Sequence, residues 1–335
     1  MRAATLSEPG RPLTVVEVDD PVAGPGEVVL AVHACGICGS DLHASEVLPI
    51  PGLVMGHELC GTVAEVGPEV EGWAPGDRAA ALSLVTCGRC AACLSGRVRK
   101  CALAKMVGIE TPGAYAERLA MPARDLHRLP DHLDLRLGAL VEPLAVALHT
   151  VARAGGGVGD DVVVLGAGPI GLAVVLWLRH AGVREIVVSD PVATRRAMAE
   201  RLAPPATMDP TTQDVAGACA GRRGQPARHV VECVGVPGLI QHAVDVSATD
   251  GVVTVAGVCM ADDEIVPWLA MAKELDVRFA FYYTRPEFET VIDALATDRI
   301  DASPLITGEV DLDGLPEIFE ALKRPSEHAK VLVRP

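Results

Sequence analysis

The most restrictive feature of the chain is the run Gly166-Ala167-Gly168-Pro169-Ile170-Gly171. It follows four aliphatic residues, Val162-Val163-Val164-Leu165, and opens an apolar stretch with helical spacing. A glycine-rich turn between a buried strand and a buried helix lets the backbone approach a pyrophosphate at a helix N-terminus. An acid, Asp190, lies nineteen residues beyond Gly171 at the end of the next aliphatic run. In that position a carboxylate accepts from ribose hydroxyls and repels a 2′-phosphate, so the pattern predicts NAD rather than NADP. Arg195 and Arg196 follow closely; they can attract such a phosphate or form a solvated helix face.

Strand and helix alternate through this region, at 162–165, 172–181, 186–189 and 194–202, with further apolar strands at 229–233 and 252–256. Alternation of this kind builds a doubly wound parallel sheet. The uncharged stretch 162–178 is too short to span a bilayer and is broken by Gly166, Gly168, Pro169 and Gly171. The first ~145 residues read differently, as short strands at 14–18, 27–33, 61–66, 78–84 and 114–121 separated by turns such as Gly24-Pro25-Gly26. The last ~45 residues combine a helix near 287–296 with short strands ending at 330–333. The whole is α/β, a β-rich part joined to a parallel-sheet part.

With 44 acids against 29 bases, a formal charge of −15 disfavours nucleic acid and anionic membrane surfaces. No targeting segment is visible at the start, and the expected setting is cytoplasmic. Four of the ten cysteines, Cys87, Cys90, Cys93 and Cys101, fall within fifteen positions. Such crowding in a reducing compartment points to metal. Four thiolates in one short loop can close a tetrahedral Zn²⁺ site with no position left for water, which makes it structural. Free thiols and a thiolate-bound iron–sulfur cluster are the alternatives.

Cys38, His57, Glu58 and Glu142 form a looser set. Mixed sulfur, nitrogen and oxygen donors suit a catalytic zinc with an exchangeable position, but spacing alone does not bring them together. Cys35 lies three residues before Cys38, so a C-x2-C pair stays open. Asp41 is placed to orient a ligand histidine, and Pro143 places Glu142 at a helix mouth. Cys60, Cys219, Cys233 and Cys259 read as small buried hydrophobes.

Taken together, the runs from Gly36 to His43 (Gly-Ile-Cys-Gly-Ser-Asp-Leu-His), Gly56-His57-Glu58, the four-cysteine lobe, Val141 to His149 (Val-Glu-Pro-Leu-Ala-Val-Ala-Leu-His) and the glycine motif resemble the medium-chain, zinc-dependent alcohol/polyol dehydrogenase family. The resemblance extends over nearly the whole chain and lies toward the sorbitol, butanediol and threonine dehydrogenase branch. It implies a β-rich GroES-like catalytic domain at 1–148 and 290–335, and a Rossmann NAD-binding domain at 149–289. It further implies two Zn²⁺ per chain, one catalytic and one structural.

By the same resemblance Cys38 and His57 are ligands of the catalytic zinc, with Glu142 the third where classical relatives carry a cysteine. Glu58 is a neighbouring carboxylate that stands behind the metal or binds it transiently. Ser40 and His43 relay the alcohol proton. Val234 and Val258, in segments ending later strands, flank the nicotinamide, alongside Gly166, Gly168, Pro169, Ile170, Gly171, Asp190 and Arg195. The implied activity is reversible NAD-dependent oxidation of a secondary alcohol or vicinal diol to a ketone by a homodimer or homotetramer. Sorbitol-type and threonine-type substrates are the alternatives, followed by an inactive zinc- and nucleotide-binding protein. Polyol-specific relatives carry an Arg-Tyr pair late in the nucleotide domain; the best match here, Tyr282-Tyr283, lacks the arginine.

Overall fold

The computed structural model describes residues 1–157, 159–183, 185–202, 206–217, 226–324 and 326–335. The chain divides into one unit of Met1–Glu142 with Tyr283–Pro335, and a second of Pro143–Tyr282. The expected boundary after 148 falls inside the helix Val141–Ala154, whose apolar run continues through it, and the one before 290 falls inside the helix Arg285–Ala296.

The first unit is built on a seven-stranded sheet. Its order runs Leu126–Arg128, Arg78–Ala81, Glu58–Val66, Glu27–Gly36, Lys330–Val333, Ile306–Val310, with Arg118–Pro122 also pairing Glu27–Gly36. The long strand Glu27–Gly36 is rich in valine and small residues and pairs with three strands, which makes it the spine of the unit. Its core is aliphatic, with Tyr115 and Phe319 stacked edge to face as its large aromatic pair. The C-terminal strand Lys330–Val333 returns to the spine with Leu332 opposite Gly36. That pairing brings the last residues of the chain next to Cys38 and Glu58 in space.

In the second unit six parallel strands run Ala206–Met208, Glu185–Ser189, Asp161–Leu165, Ala227–Glu232, Ser247–Val255, Asp276–Phe279. Chain order reverses at Asp161–Leu165, the switch point where such sheets bind ligands beyond the strands' carboxyl ends. Val163, Leu165, Val230 and Val253 are almost wholly buried, as expected of a sheet covered on both faces. Glycine-rich and helical segments after these strands place the nucleotide motif at that end.

Candidate functional site

The metal-type site of the first unit is assembled from three pieces of backbone. Gly36 ends the spine strand, and a Cβ there would collide with Glu58 Oε2. The chain then turns into the helix Gly39–Val47, with Cys38 as its N-cap and Asp41 in its first turn. Gly56 takes φ +93°, a left-handed conformation, and a Cβ on it would lie 2.6 Å from the Tyr115 ring. That turn delivers His57 and Glu58 to the start of their strand.

The result is a compact buried set. Donor atoms of Cys38, His57 and Glu58 lie within 4.8 Å of one another. Ser40 Oγ donates to Cys38 Sγ at 3.1 Å and lies 3.4 Å from His57 Nε2. On the other side of the ring, His57 Nδ1 is 3.2 Å from Asp41 Oδ1. Asp41 is itself held by the Tyr115 hydroxyl at 2.7 Å and by the Cys38 backbone N–H. This fixes the imidazole with Nε2 toward the cluster, as Asp41 was expected to do.

Glu58 Oε1 meets the Lys330 ammonium at 2.7 Å, while Glu58 Oε2 is buried without a hydrogen-bond partner. Lys330 also donates to the Ile37 carbonyl; burial opposes its charge, but Glu58, with Cys38 and Glu142, raises its pKa above the ordinary lysine value. Glu142 sits in the first turn of Val141–Ala154 and accepts from Ser83 Oγ at 2.9 Å. Burial pushes its carboxyl up to about 7; His57 pulls it down and the Glu58 carboxylate pushes it up further. Glu142 therefore stands close enough to sense both, though outside the tight trio.

Two buried carboxylates, a thiol and an imidazole face a single lysine cation, and one carboxylate oxygen is unpartnered. A buried site of that composition is short of positive charge, and Zn²⁺ suits its donors. Ser40 is half-buried beside the trio, whereas His43 is exposed on the same helix. Cys35 is wholly buried in the core and lies outside the cluster.

The four cysteines of the lobe also converge, their sulfur atoms within 4.8 Å of one another. Cys90 Sγ lies 3.5 Å from Cys93 Sγ, and no disulfide joins the described cysteines. The backbone N–H groups of Arg89 and Cys90 pull the Cys87 thiol down to about 6, and burial pushes Cys93 up to about 11. Four inward sulfurs sharing so little space are arranged for one cation.

In the second unit the glycine motif has the expected mechanics. Gly166 takes φ +98°, and a Cβ at Gly171 would overlap the Gly166 carbonyl oxygen. Gly168 caps the helix Pro169–His180, with Pro169 at its first position. Ile170 follows half-buried in that first turn. Asp190 ends its strand nearly buried, and its carboxylate accepts from the Ala167 and Val192 N–H groups, both at 2.8 Å. It thus ties down the glycine loop as well as facing it. Arg196 is not a solvated residue: it donates to the Asp190 carbonyl and pairs with Asp209 at 3.4 Å. Arg195 is half-buried, with Nε lacking a hydrogen-bond partner.

Val234 and Val258 are exposed at the ends of their strands. Gly235, φ +75°, brings their two loops together, since a Cβ there would lie 2.5 Å from the Val258 N atom. Cys233 and Cys259 are half-buried rather than fully buried, because both lie in these loops, and Cys219 lies outside the described residues.

Residues 24–131 match the family model of the alcohol dehydrogenase GroES-like domain, and residues 169–297 that of zinc-binding dehydrogenases. The chain belongs to the medium-chain, zinc-dependent alcohol/polyol dehydrogenases. This dehydrogenase is 34% identical to a 2-dehydro-3-deoxy-L-galactonate 5-dehydrogenase of Pseudoalteromonas atlantica, over 92% of this chain and 91% of that one. Among solved structures it resembles a protein of Sinorhizobium meliloti described as a zinc-binding dehydrogenase and bound to NADP (TM-score 0.91, 34% identity, 100% and 99% coverage). The 2R,3R-butanediol dehydrogenase of Bacillus subtilis gives TM-score 0.91 at 31% identity, with the same coverage.

The sequence reading of the dehydrogenase missed Lys330, Ser83 and Tyr283. The signal for the first two was a lone polar residue inside an aliphatic run: Ser83 between Leu82 and Leu84, Lys330 before Val331-Leu332-Val333. Tyr283, read there as half of a substrate-anchoring pair, is instead buried with its hydroxyl on Ser83. No described helix is long and apolar enough to cross a membrane.

Proposed function

We propose that the enzyme oxidises a small secondary alcohol or vicinal diol to a ketone with NAD, reversibly, using Cys38, His57 and Glu142 as catalytic zinc ligands, Glu58 as an alternate carboxylate, and Cys87, Cys90, Cys93 and Cys101 for a structural zinc. The observation that carries this reading is the cluster of half-buried Cys38 with buried His57 and Glu58, and buried Glu142 beside it. Zinc held there would supply Lewis acidity that eases loss of the alcohol proton, and a bound nicotinamide would supply the hydride acceptor. Ser40, hydrogen-bonded to Cys38, would accept that proton as it releases its own, by way of the cofactor ribose, toward His43, exposed one turn along the helix, and from there to solvent. Asp41 and Tyr115 keep His57 in one orientation throughout.

Asp190, whose carboxylate faces the glycine loop, favours NAD over its 2′-phosphate analogue. The aliphatic residues Val47, Leu48 and Ile50 at the end of the helix Gly39–Val47 and just after it, and a tyrosine rather than an arginine at position 282, favour small uncharged substrates. A hydroxyl buried without a partner costs about 1–3 kcal/mol, so hexitols should be poorer substrates than 2,3-butanediol. Following NADH absorbance across a panel of diols, cyclic alcohols, hexitols, threonine and hydroxy acids tests this. Preference for a hexitol, or for a charged hydroxy acid such as the Pseudoalteromonas relative's substrate, would overturn the substrate class.

The segment 258–281 exposes Met260, Trp268, Met271, Phe279 and Phe281, and contains the edge strand Asp276–Phe279. An apolar strip along an open sheet edge supports a homodimer or homotetramer. Nine unpaired described cysteines support a reducing, cytoplasmic setting.

A further inference from the structure

Ser83 and Tyr283 come from distant parts of the sequence yet meet in the interior of the first unit, behind Glu142. Ser83 is fully buried, Tyr283 is 1% exposed and Glu142 6% exposed. Ser83 Oγ lies 2.9 Å from Glu142 Oε1 and 2.9 Å from the Tyr283 hydroxyl. The backbone N–H of Ser83 donates to the same phenol oxygen at 3.1 Å. A serine hydroxyl has one proton to give, and Ser83 gives it to Glu142 Oε1. The bond between Ser83 Oγ and the phenol then has the Tyr283 O–H as its donor. The direction of the chain is set: Ser83 N–H to Tyr283, Tyr283 to Ser83 Oγ, Ser83 to Glu142.

Each bond in this dry chain polarises the next, so the phenol strengthens the hydrogen bond that Ser83 offers. The tyrosine is itself held. Its ring packs on Phe288 with centroids 5.4 Å apart, and Tyr282 before it adopts φ +55°, a conformation non-glycine residues adopt only when their surroundings demand it.

We infer that Tyr283, acting through Ser83, is a positioning residue for the Glu142 carboxylate, holding it in one orientation as a metal ligand. The inference rests on Glu142 being a ligand of the catalytic zinc. Partners that orient a ligand carboxylate typically matter about tenfold or more for metal affinity or turnover. Tyr283→Phe removes one oxygen and keeps the ring against Phe288.

The test uses the zinc-loaded enzyme and four variants: Tyr283→Phe, Ser83→Ala, their double mutant, and Ser83→Thr. Zinc loss to a chelator is followed by metal analysis, with kcat, KM and the thermal midpoint alongside. Tyr283→Phe should lose one of two zincs about tenfold faster, with kcat lowered more than KM is raised and the thermal midpoint little changed. Ser83→Ala should be worse, the double mutant no worse than Ser83→Ala, and Ser83→Thr close to wild type.

Wild-type zinc retention in both Tyr283→Phe and Ser83→Ala would overturn the inference, as would additive effects in the double mutant. Should Tyr283→Phe not fold, the contrast between Ser83→Ala and Ser83→Thr decides alone: equal zinc loss overturns the positioning role. A wild-type enzyme whose only zinc is lost when Cys90 is replaced, and kept when Cys38 is, would instead sink the ligand assignment on which the inference rests.

Discussion

The Lys330 ammonium and the Glu58 carboxylate face each other at 2.7 Å, with side chains 3% and 1% exposed. They are 272 residues apart in sequence, and only the return of the C-terminal strand to the spine joins them. A pair this deeply buried adds little net stability against an apolar replacement, but losing one partner strands a charge at a cost of about 3–5 kcal/mol.

Lys330→Met should accordingly destabilise the first unit by about 3 kcal/mol in denaturant unfolding. Adding Glu58→Leu to it should recover part of that loss, because the stranded carboxylate goes with it. A single mutant within about 0.5 kcal/mol of wild type would show that Glu58 does not depend on Lys330.

The two cysteine-containing sites should separate cleanly. Cys90→Ser opens the four-sulfur loop, so folding yield and stability fall while surviving protein keeps its other metal. Cys38→Ser should leave the fold and the lobe's zinc in place and abolish turnover. Metal analysis of wild-type protein purified without chelators should give two zincs per chain; one contradicts one of the two assignments, and none contradicts both.

These sites were legible to different degrees for a physical reason. The glycine loop and the four cysteines are local: their geometry is set within fifteen residues of chain, so spacing is nearly structure. His57 and Asp41 were also readable, because each sits beside a glycine or a helix start that announces a turn. Ser83, Tyr283 and Lys330 were not, since their roles exist only through tertiary contacts between segments about 200 to 300 residues apart. A lone serine in an apolar run looks the same whether it faces a carboxylate or simply packs. Tyr283, matched in sequence to the tyrosine of an Arg-Tyr pair, is turned inward by the tertiary fold. For Arg196 neither a free phosphate partner nor a solvated face is what the fold makes, its charge being spent on the Asp190 carbonyl and Asp209.

Asp190 now carries two duties, and they can be tested apart. Asp190→Asn keeps an oxygen for one backbone N–H while removing the negative charge. The Michaelis constant for NAD should rise several-fold and discrimination against NADP should fall, read as the ratio of kcat/KM for the two cofactors. Asp190→Gly removes both N–H acceptors and should add a drop in stability from the loosened glycine loop, visible in thermal unfolding without cofactor. A wild-type enzyme already preferring NADP, as a cofactor bound to the Sinorhizobium relative, would reverse the role given to this carboxylate.

The last prediction concerns acid stability. His127 lies in the core of the first unit against the Phe288 ring, centroids 5.0 Å apart, and burial followed by the Arg285 guanidinium pushes its pKa down to about 4. Glu289 Oε1 lies 3.3 Å from His127 Nδ1 and pulls the other way, but that carboxylate is 59% exposed and screened. The unfolded chain takes up a proton on this histidine near pH 6.5, and the folded chain only near pH 4. Between these values the unfolded state binds more protons, so stability falls as the pH is lowered. The contribution is complete above pH 6.5 and lost by about pH 4, amounting to about 3 kcal/mol. Denaturant unfolding of wild type and His127→Leu across pH 4 to 7 isolates it, because the leucine cannot titrate. The stability difference between the two proteins should shift in favour of His127→Leu as acid is added. A difference that stays flat across that range would mean His127 is charged in the folded enzyme, with Glu289 outweighing burial and Arg285.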